Sequence, residues 1–149
     1  MDRLLAKDAV LETVYTLAYS LDQLDRKGIL SCFKPDTPFT FDISTVLGHP
    51  ATDLTPEEYY QAACNVLGGF HATHHLLGYP LVVYSGGELE AAHVKVYISA
   101  FHGLEGPDGG IAESATAYVS WNLDVELWEG KWVVRRLVVK KSALDHPGS

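Results

Sequence analysis

The sequence predicts an α+β domain, with helices grouped at the front of the chain and a long antiparallel sheet whose one face those helices must cover. Three observations carry this. Apolar residues recur at three- and four-residue spacing from Leu4 to Leu24. A capping box opens another helix at Thr55, and four β-rich segments separated by turn chemistry follow Gly69. A curved sheet with helices on its concave side leaves a cavity between the two layers, and that cavity is the natural ligand site.

The first helix carries Leu4, Leu5, Val10, Leu11, Val14, Tyr15, Leu17, Ala18, Leu21 and Leu24 along one broad stripe. Asp2 or Asp8 is placed to cap its start, and Asp25 to cap a short helical turn from Arg26 to Phe33 that Lys34-Pro35 closes. Thr37 to Ser44, rich in Phe, Thr and Ile, reads as a short strand, and Thr45 to Leu54 as a loop. In Thr55-Pro56-Glu57-Glu58 the threonine caps, the proline fits the first helical position and Glu58 completes the box; Gly68-Gly69 ends that helix. Phe70 to Tyr84, Leu89 to Leu104, Ile111 to Leu127 and Lys131 to Ala143 then read as four strands, antiparallel because their connections are short. In the second of them Ala92, Val94, Val96, Ile98 and Ala100 face one way and His93, Lys95, Tyr97 and Ser99 the other.

Composition bounds the function. The 149 residues suffice for one domain, 1–149, and no repeat, linker or low-complexity tract divides them. Eleven Lys plus Arg stand against 19 Asp plus Glu, a formal charge of -8, so the surface repels nucleic-acid phosphates and anionic lipid. No apolar run reaches the ~18 residues of a spanning helix, and the first residues lack the apolar core of a signal peptide. Cys32 and Cys64 form neither a disulfide framework nor a metal motif. The expectation is a reduced, cytoplasmic protein without cofactor or metal. Phosphate-binding glycine motifs and the Gly-x-Ser-x-Gly elbow are absent.

The element order and two local stretches resemble the SnoaL-like, scytalone dehydratase-like group of the nuclear transport factor 2-like superfamily. The stretches are Ala18-Tyr19-Ser20-Leu21-Asp22-Gln23-Leu24-Asp25 and Thr73-His74-His75-Leu76-Leu77-Gly78. A third, weaker match is the final hairpin, Asn122 to Trp132, with Trp-x-Gly-x-Trp bracketing its turn. The resemblance implies a cone-shaped fold, an acid–base histidine at His75 and its carboxylate partner at Asp22. It implies a second histidine on the next long strand, where His102 has the parity of the apolar series. Leu21 and Ile43 stand where the dehydratase has tyrosines, a departure that bears on dehydratase activity itself. The related ketosteroid isomerases place a general-base Asp near the short strand, which makes Asp42 a rival base. The Asp–Arg–Asp set of the related epoxide hydrolases has no match, since Ala92 to His102 contains neither Arg nor Asp.

The residue types suit this chemistry. An imidazole titrates near neutrality and can take and return a proton, while a carboxylate on its other nitrogen fixes the tautomer and stabilises the imidazolium. Adjacent strand residues point to opposite faces, so only one of His74 and His75 can look into a cavity. Tyr15 and Tyr19 share a helix face and Tyr59 opens the helix after Thr55; with Asp42 these are candidate substrate-binding groups. The expected function is a cofactor-independent lyase or dehydratase, or an isomerase or cyclase, acting on a largely apolar, carbonyl-containing metabolite. The alternative is a non-catalytic ligand-binding or subunit module of the same fold. A homodimer is expected through the last two strands, whose Val119, Trp121, Leu123 and Val125, then Val133, Leu137 and Val139, offer apolar surface.

Overall fold

The structure is a computed structural model and describes residues 2–142. Four helices and seven strands run in the order α1 (Arg3–Gln23), α2 (Arg26–Ser31), β1 (Phe39–Asp42), α3 (Ser44–Leu47), β2 (Thr52–Leu54), α4 (Pro56–Leu67), β3 (Ala72–Leu77), β4 (Leu81–Ser85), β5 (Ala91–Glu105), β6 (Ile111–Trp128) and β7 (Lys131–Lys141). The strands form one curved sheet in the order β2-β1-β7-β6-β5-β3, with β4 pairing the other half of β5. All pairings are antiparallel except β1 with β7, which is parallel.

Local chemistry explains the helix ends. Asp2 caps α1 by accepting from the Leu4 amide, and the Thr55–Glu58 box closes in both directions at α4. Asp25 occupies the cap position of α2, but its side chain makes no capping bond. The buried face of α1 is narrower than the apolar stripe: Val10, Val14 and Leu17 are fully buried, whereas Leu4, Leu5 and Tyr15 are exposed. Full burial of each such aliphatic side chain contributes about 1.5–3 kcal/mol. In the first turn of α1 Ala6 is buried and Arg3 lies over the Tyr84 ring, while the two leucines stay in solvent.

Two expectations on the strands need correction. Phe70 to Tyr84 is two strands, β3 and β4, lying end to end along β5. Pro80 has no N–H to give to a ladder, and the chain breaks at Gly78-Tyr79-Pro80, where only the Gly78 amide still reaches the Tyr97 carbonyl. The segment Thr45 to Leu54 is not all loop. The Asp42 carboxylate accepts from the Ser44 amide and starts the single turn of α3, and β2 pairs with β1. Elements of three or four residues are too short to show a periodicity. The final strand ends at Lys141; Ala143, assigned to it above, lies outside the described residues.

The long strands follow their alternation. Ala92, Val94, Val96, Ile98 and Ala100 of β5 are buried under the helices, together with Val119, Trp121, Leu123 and Val125 of β6. β6 turns into β7 through Glu129 and Gly130, both at positive φ, the two-residue geometry that matches strand twist. Val133, Leu137 and Val139 are buried within the chain, so the surface proposed above for a dimer is already covered. The exposed apolar residues lie elsewhere, on the outer face at Leu76, Leu81, Val83, Tyr97 and Tyr118.

Candidate active site

Between α1, α3, α4 and the concave face of the sheet lies a cavity of about 270 Å³. Its wall is almost wholly apolar: Leu21 from α1, Phe41 and Ile43 near β1, Val46 and Leu47 from α3, and Ala62, Ala63, Val66 and Leu67 from α4. Leu47 and Val66 are both lining residues and exposed, which puts the mouth between α3 and α4. The sheet floor is Ala100, Ala117, Val119, Trp121 and Val139. Two titratable nitrogen bases interrupt it, His75 on β3 and His102 on β5.

His75 faces inward and His74 outward, as the period of two requires. Its Nδ1 lies 2.6 Å from Asp22 Oδ1, and its backbone N–H donates to Asp22 Oδ2 at 2.9 Å. The Thr73 hydroxyl donates to Asp22 Oδ1 at 3.1 Å. Thr73 and His75 are two apart on one strand and so share a face, which lets both grip one carboxylate. The side chains of Asp22 and His75 are 9% and 10% exposed. Nδ1 is engaged, while Nε2, on the other edge of the ring, has no partner among the described residues. The cross-strand neighbour of His75 is Ala100, whose small side chain leaves the ring room, and Trp121 packs on it at 5.8 Å between centroids.

His102 stands opposite Thr73 in the ladder, 6.5 Å from the His75 ring centre, with Phe70 against its other side. Burial, and then the neighbouring His75, push its pKa below the ordinary histidine range, so near neutrality it is an uncharged donor and acceptor. Tyr59 also lines the cavity; its ring sits in a cluster with Phe33, Phe39 and Phe41, and burial pushes its phenol up. It stays protonated.

Three other candidates fall outside this arrangement. Tyr15 and Tyr19 project from the exposed side of α1 and do not line the cavity. They are four apart on one face, but it is the face turned from the sheet. Asp42 does not line the cavity either, because Phe41 beside it takes the inward position. Its carboxyl is held below the usual carboxylate range by the hydrogen bonds from Ser44, helped by Arg136 and Lys140. A half-buried, stabilised carboxylate outside the pocket is not placed to act as the rival base.

Sequence reasoning gave neither Thr73 nor Trp121 a place in the site. The signal for Thr73 was present, since a polar residue two before His75 must share its face. Trp121 is a cross-sheet neighbour that no local pattern reveals. Neither cysteine adds a nucleophile to the site: Cys32 is buried away from the cavity, and burial pushes its thiol up to about 11. Among the described residues no three His, Cys, Asp or Glu side chains gather as a metal site, and no helix is long and apolar enough to cross a membrane.

The fold recurs in proteins of distant sequence. The chain superposes on the Kfla4162 protein from Kribbella flavida with a TM-score of 0.82 at 19% identity, covering 95% of this chain and 93% of that one. It superposes on hexachlorocyclohexane dehydrochlorinase LinA-type3 from Novosphingobium barchaimii LL02 with a TM-score of 0.74 at 15% identity, over 94% and 88% of the two chains. For a proposed scytalone dehydratase from Novosphingobium aromaticivorans the TM-score is 0.72 at 15% identity, over 93% and 85%. No curated protein matches by sequence. The SnoaL-like domain model matches residues 2–138, nearly the whole chain. With the cone-shaped α+β architecture and the Thr-x-His strand in place, the chain belongs to the SnoaL-like domain family.

Proposed function

We propose that this protein is a cofactor-independent lyase that removes a proton from an apolar, carbonyl-containing small molecule and expels a leaving group from the neighbouring carbon. The observation that carries this reading is the Asp22–His75 pair, joined at 2.6 Å, whose histidine lines a largely apolar cavity. With Nδ1–H donated to Asp22, His75 presents the Nε2 lone pair to the ligand. It takes the proton next to the carbonyl, the C–H electrons form the double bond, and the leaving group departs with its bonding pair. Asp22 stabilises the imidazolium that results. In this reading His102, uncharged and on the same floor, is the second polar group that meets the carbonyl or leaving oxygen. Similarity in fold to a dehydrochlorinase and a proposed dehydratase supports an elimination.

The test is two eliminations, loss of water from cyclic β-hydroxy ketones and loss of HCl from cyclic β-chloro ketones, run with the wild-type protein and His75→Ala. Turnover by the wild type that His75→Ala abolishes supports the reading. Turnover that survives in His75→Ala refutes it.

A second reading has its own observation. Leu76, Leu81, Val83, Tyr97 and Tyr118 form an exposed apolar area on the outer sheet face. That area suits contact with another subunit, either in a homodimer of the enzyme or in a non-catalytic module. The module reading predicts that His75→Ala changes ligand affinity and that no variant shows turnover.

A further inference from the structure

Asp22 lies in the last turn of α1, a turn with no basic residue. A helix C-terminus carries partial negative charge, so a carboxylate there is disfavoured unless donors offset it. Burial adds to the cost. Among the described residues no Lys or Arg pairs with Asp22, and its ion-pair partner is His75. The neutral donors come from one strand, the Thr73 hydroxyl and the His75 amide. Thr73 does not line the cavity, so its hydroxyl serves the carboxylate and not the ligand.

We propose that Thr73 is a positioning residue that keeps the Asp22–His75 pair in its proton-accepting form. This inference rests on the lyase reading for its catalytic meaning. The pair alternates between two states. In one the ring carries a single proton, on Nδ1, and the pair has net charge -1; in the other Nε2 has gained a proton and the pair is neutral overall. A hydroxyl donating to Oδ1 stabilises the -1 state more than the neutral one, because in the latter the imidazolium already offsets the carboxylate. Loss of the hydroxyl therefore favours proton uptake, and at a given pH fewer molecules hold a free base. The titratable groups facing His75 are Asp22 from α1, in contact with its ring, and Tyr59 from α4 and His102 from β5, on the cavity wall. Tyr59 stays neutral across the range concerned. His102 is the cross-strand neighbour of Thr73, so its own signal is followed in the same titration to separate the two histidines.

The experiment is an NMR titration of the full-length chain labelled with ¹⁵N-histidine, the His75 signal being the one missing from His75→Ala. Thr73→Val keeps the shape and removes the donor. It is expected to raise the midpoint for the second ring proton of His75 by up to about one pH unit, because only the difference in the bond's strength between the two states counts. Thr73→Ser restores the hydroxyl and is expected to bring the midpoint back. An unmoved midpoint in folded Thr73→Val overturns the proposal. So does a Thr73→Ser midpoint displaced as far as that of Thr73→Val. Should Thr73→Val fail to fold, Thr73→Ala is read by the same criteria. No substrate is needed, so the two readings fail separately. A protein without any elimination activity removes the lyase reading and leaves the midpoint result standing, whereas an active protein with an unmoved midpoint removes the role of Thr73 alone.

Discussion

Among the described residues stand two Asp–His pairs of nearly the same length, one on each face of the same sheet. Asp22 and His75 meet at 2.6 Å inside the cone, 9% and 10% exposed; Asp124 and His93 meet at 2.8 Å on the outer face, 46% and 47% exposed. The inner carboxylate has two further donors, from the Thr73 hydroxyl and the His75 amide, and its histidine looks into an apolar cavity. The outer pair joins neighbours on β5 and β6 at a surface open to water, where an ion pair of this kind is worth about 0–1 kcal/mol. Distance alone does not distinguish them. What separates a candidate catalytic pair from a solvated one is the number of donors on the carboxylate, the exclusion of water and the presence of space beside the free nitrogen.

The largest expected effect is on turnover. His75→Ala should lower it by about 100- to 10,000-fold, the contribution of a positioned general base, while His93→Ala should leave it within about twofold. Rates measured side by side on the same substrate check this, and equal losses would erase the distinction between the pairs.

Next in size, Asp22→Asn should lower kcat while leaving ligand binding nearly unchanged, since the amide can hold the ring but not stabilise its charged form. The two inner residues act as a unit, so Asp22→Asn with His75→Ala should be little worse than His75→Ala alone. Asp124→Asn, by contrast, should change stability by no more than about 0.5 kcal/mol in a denaturant titration.

The outer face supplies the third prediction. If Leu81 and Tyr97 are covered by a second copy, light scattering at micromolar concentration should return the mass of two chains. Leu81→Glu with Tyr97→Glu should return that of one. A monomeric wild type would leave the outer face as an ordinary solvated surface and sharpen the contrast with the inner one.

The smallest effect is on pH-dependent stability. His102 has its pKa lowered on folding from the ordinary 6.5, chiefly by burial, so between the two values the unfolded chain binds more protons than the folded one. Stability should therefore rise with pH through the window below 6.5 and level off above it. His102→Gln should flatten that slope, as melting temperatures across the window would show, and His93→Gln, its outward counterpart on β5, should leave the His102 slope in place.

Much of this was legible in the sequence because it depends on neighbours a few residues apart. The capping box at Thr55, the alternation from Ala92 to Ala100 and the Glu129-Gly130 turn follow from spacing and residue type, and each appears in the structure. The inward parity of His102 follows from the same alternation. The likeness of two short stretches pointed to Asp22 and His75. Where the sequence misled, the determinant was distant. Tyr15 and Tyr19 share a helix face, but which face meets the sheet depends on the angle at which α1 crosses it. The break at Gly78-Tyr79-Pro80 was visible as residues, yet its outcome as two strands depended on β5 being long enough to pair with both halves.

By itself, then, the chain determined the order of helices and strands, the inward and outward sets on β5 and the residue types able to carry acid–base chemistry, because periodicity and capping are local. Only the tertiary structure decided which of two Asp–His pairs is enclosed and which aspartate is held by the Ser44 amide at the start of α3. It also decided that the apolar residues of β7 are spent on the core while those of β3, β4 and β5 face outward. Burial and the meeting of side chains 53 positions apart are properties of packed layers, and no window of sequence contains them.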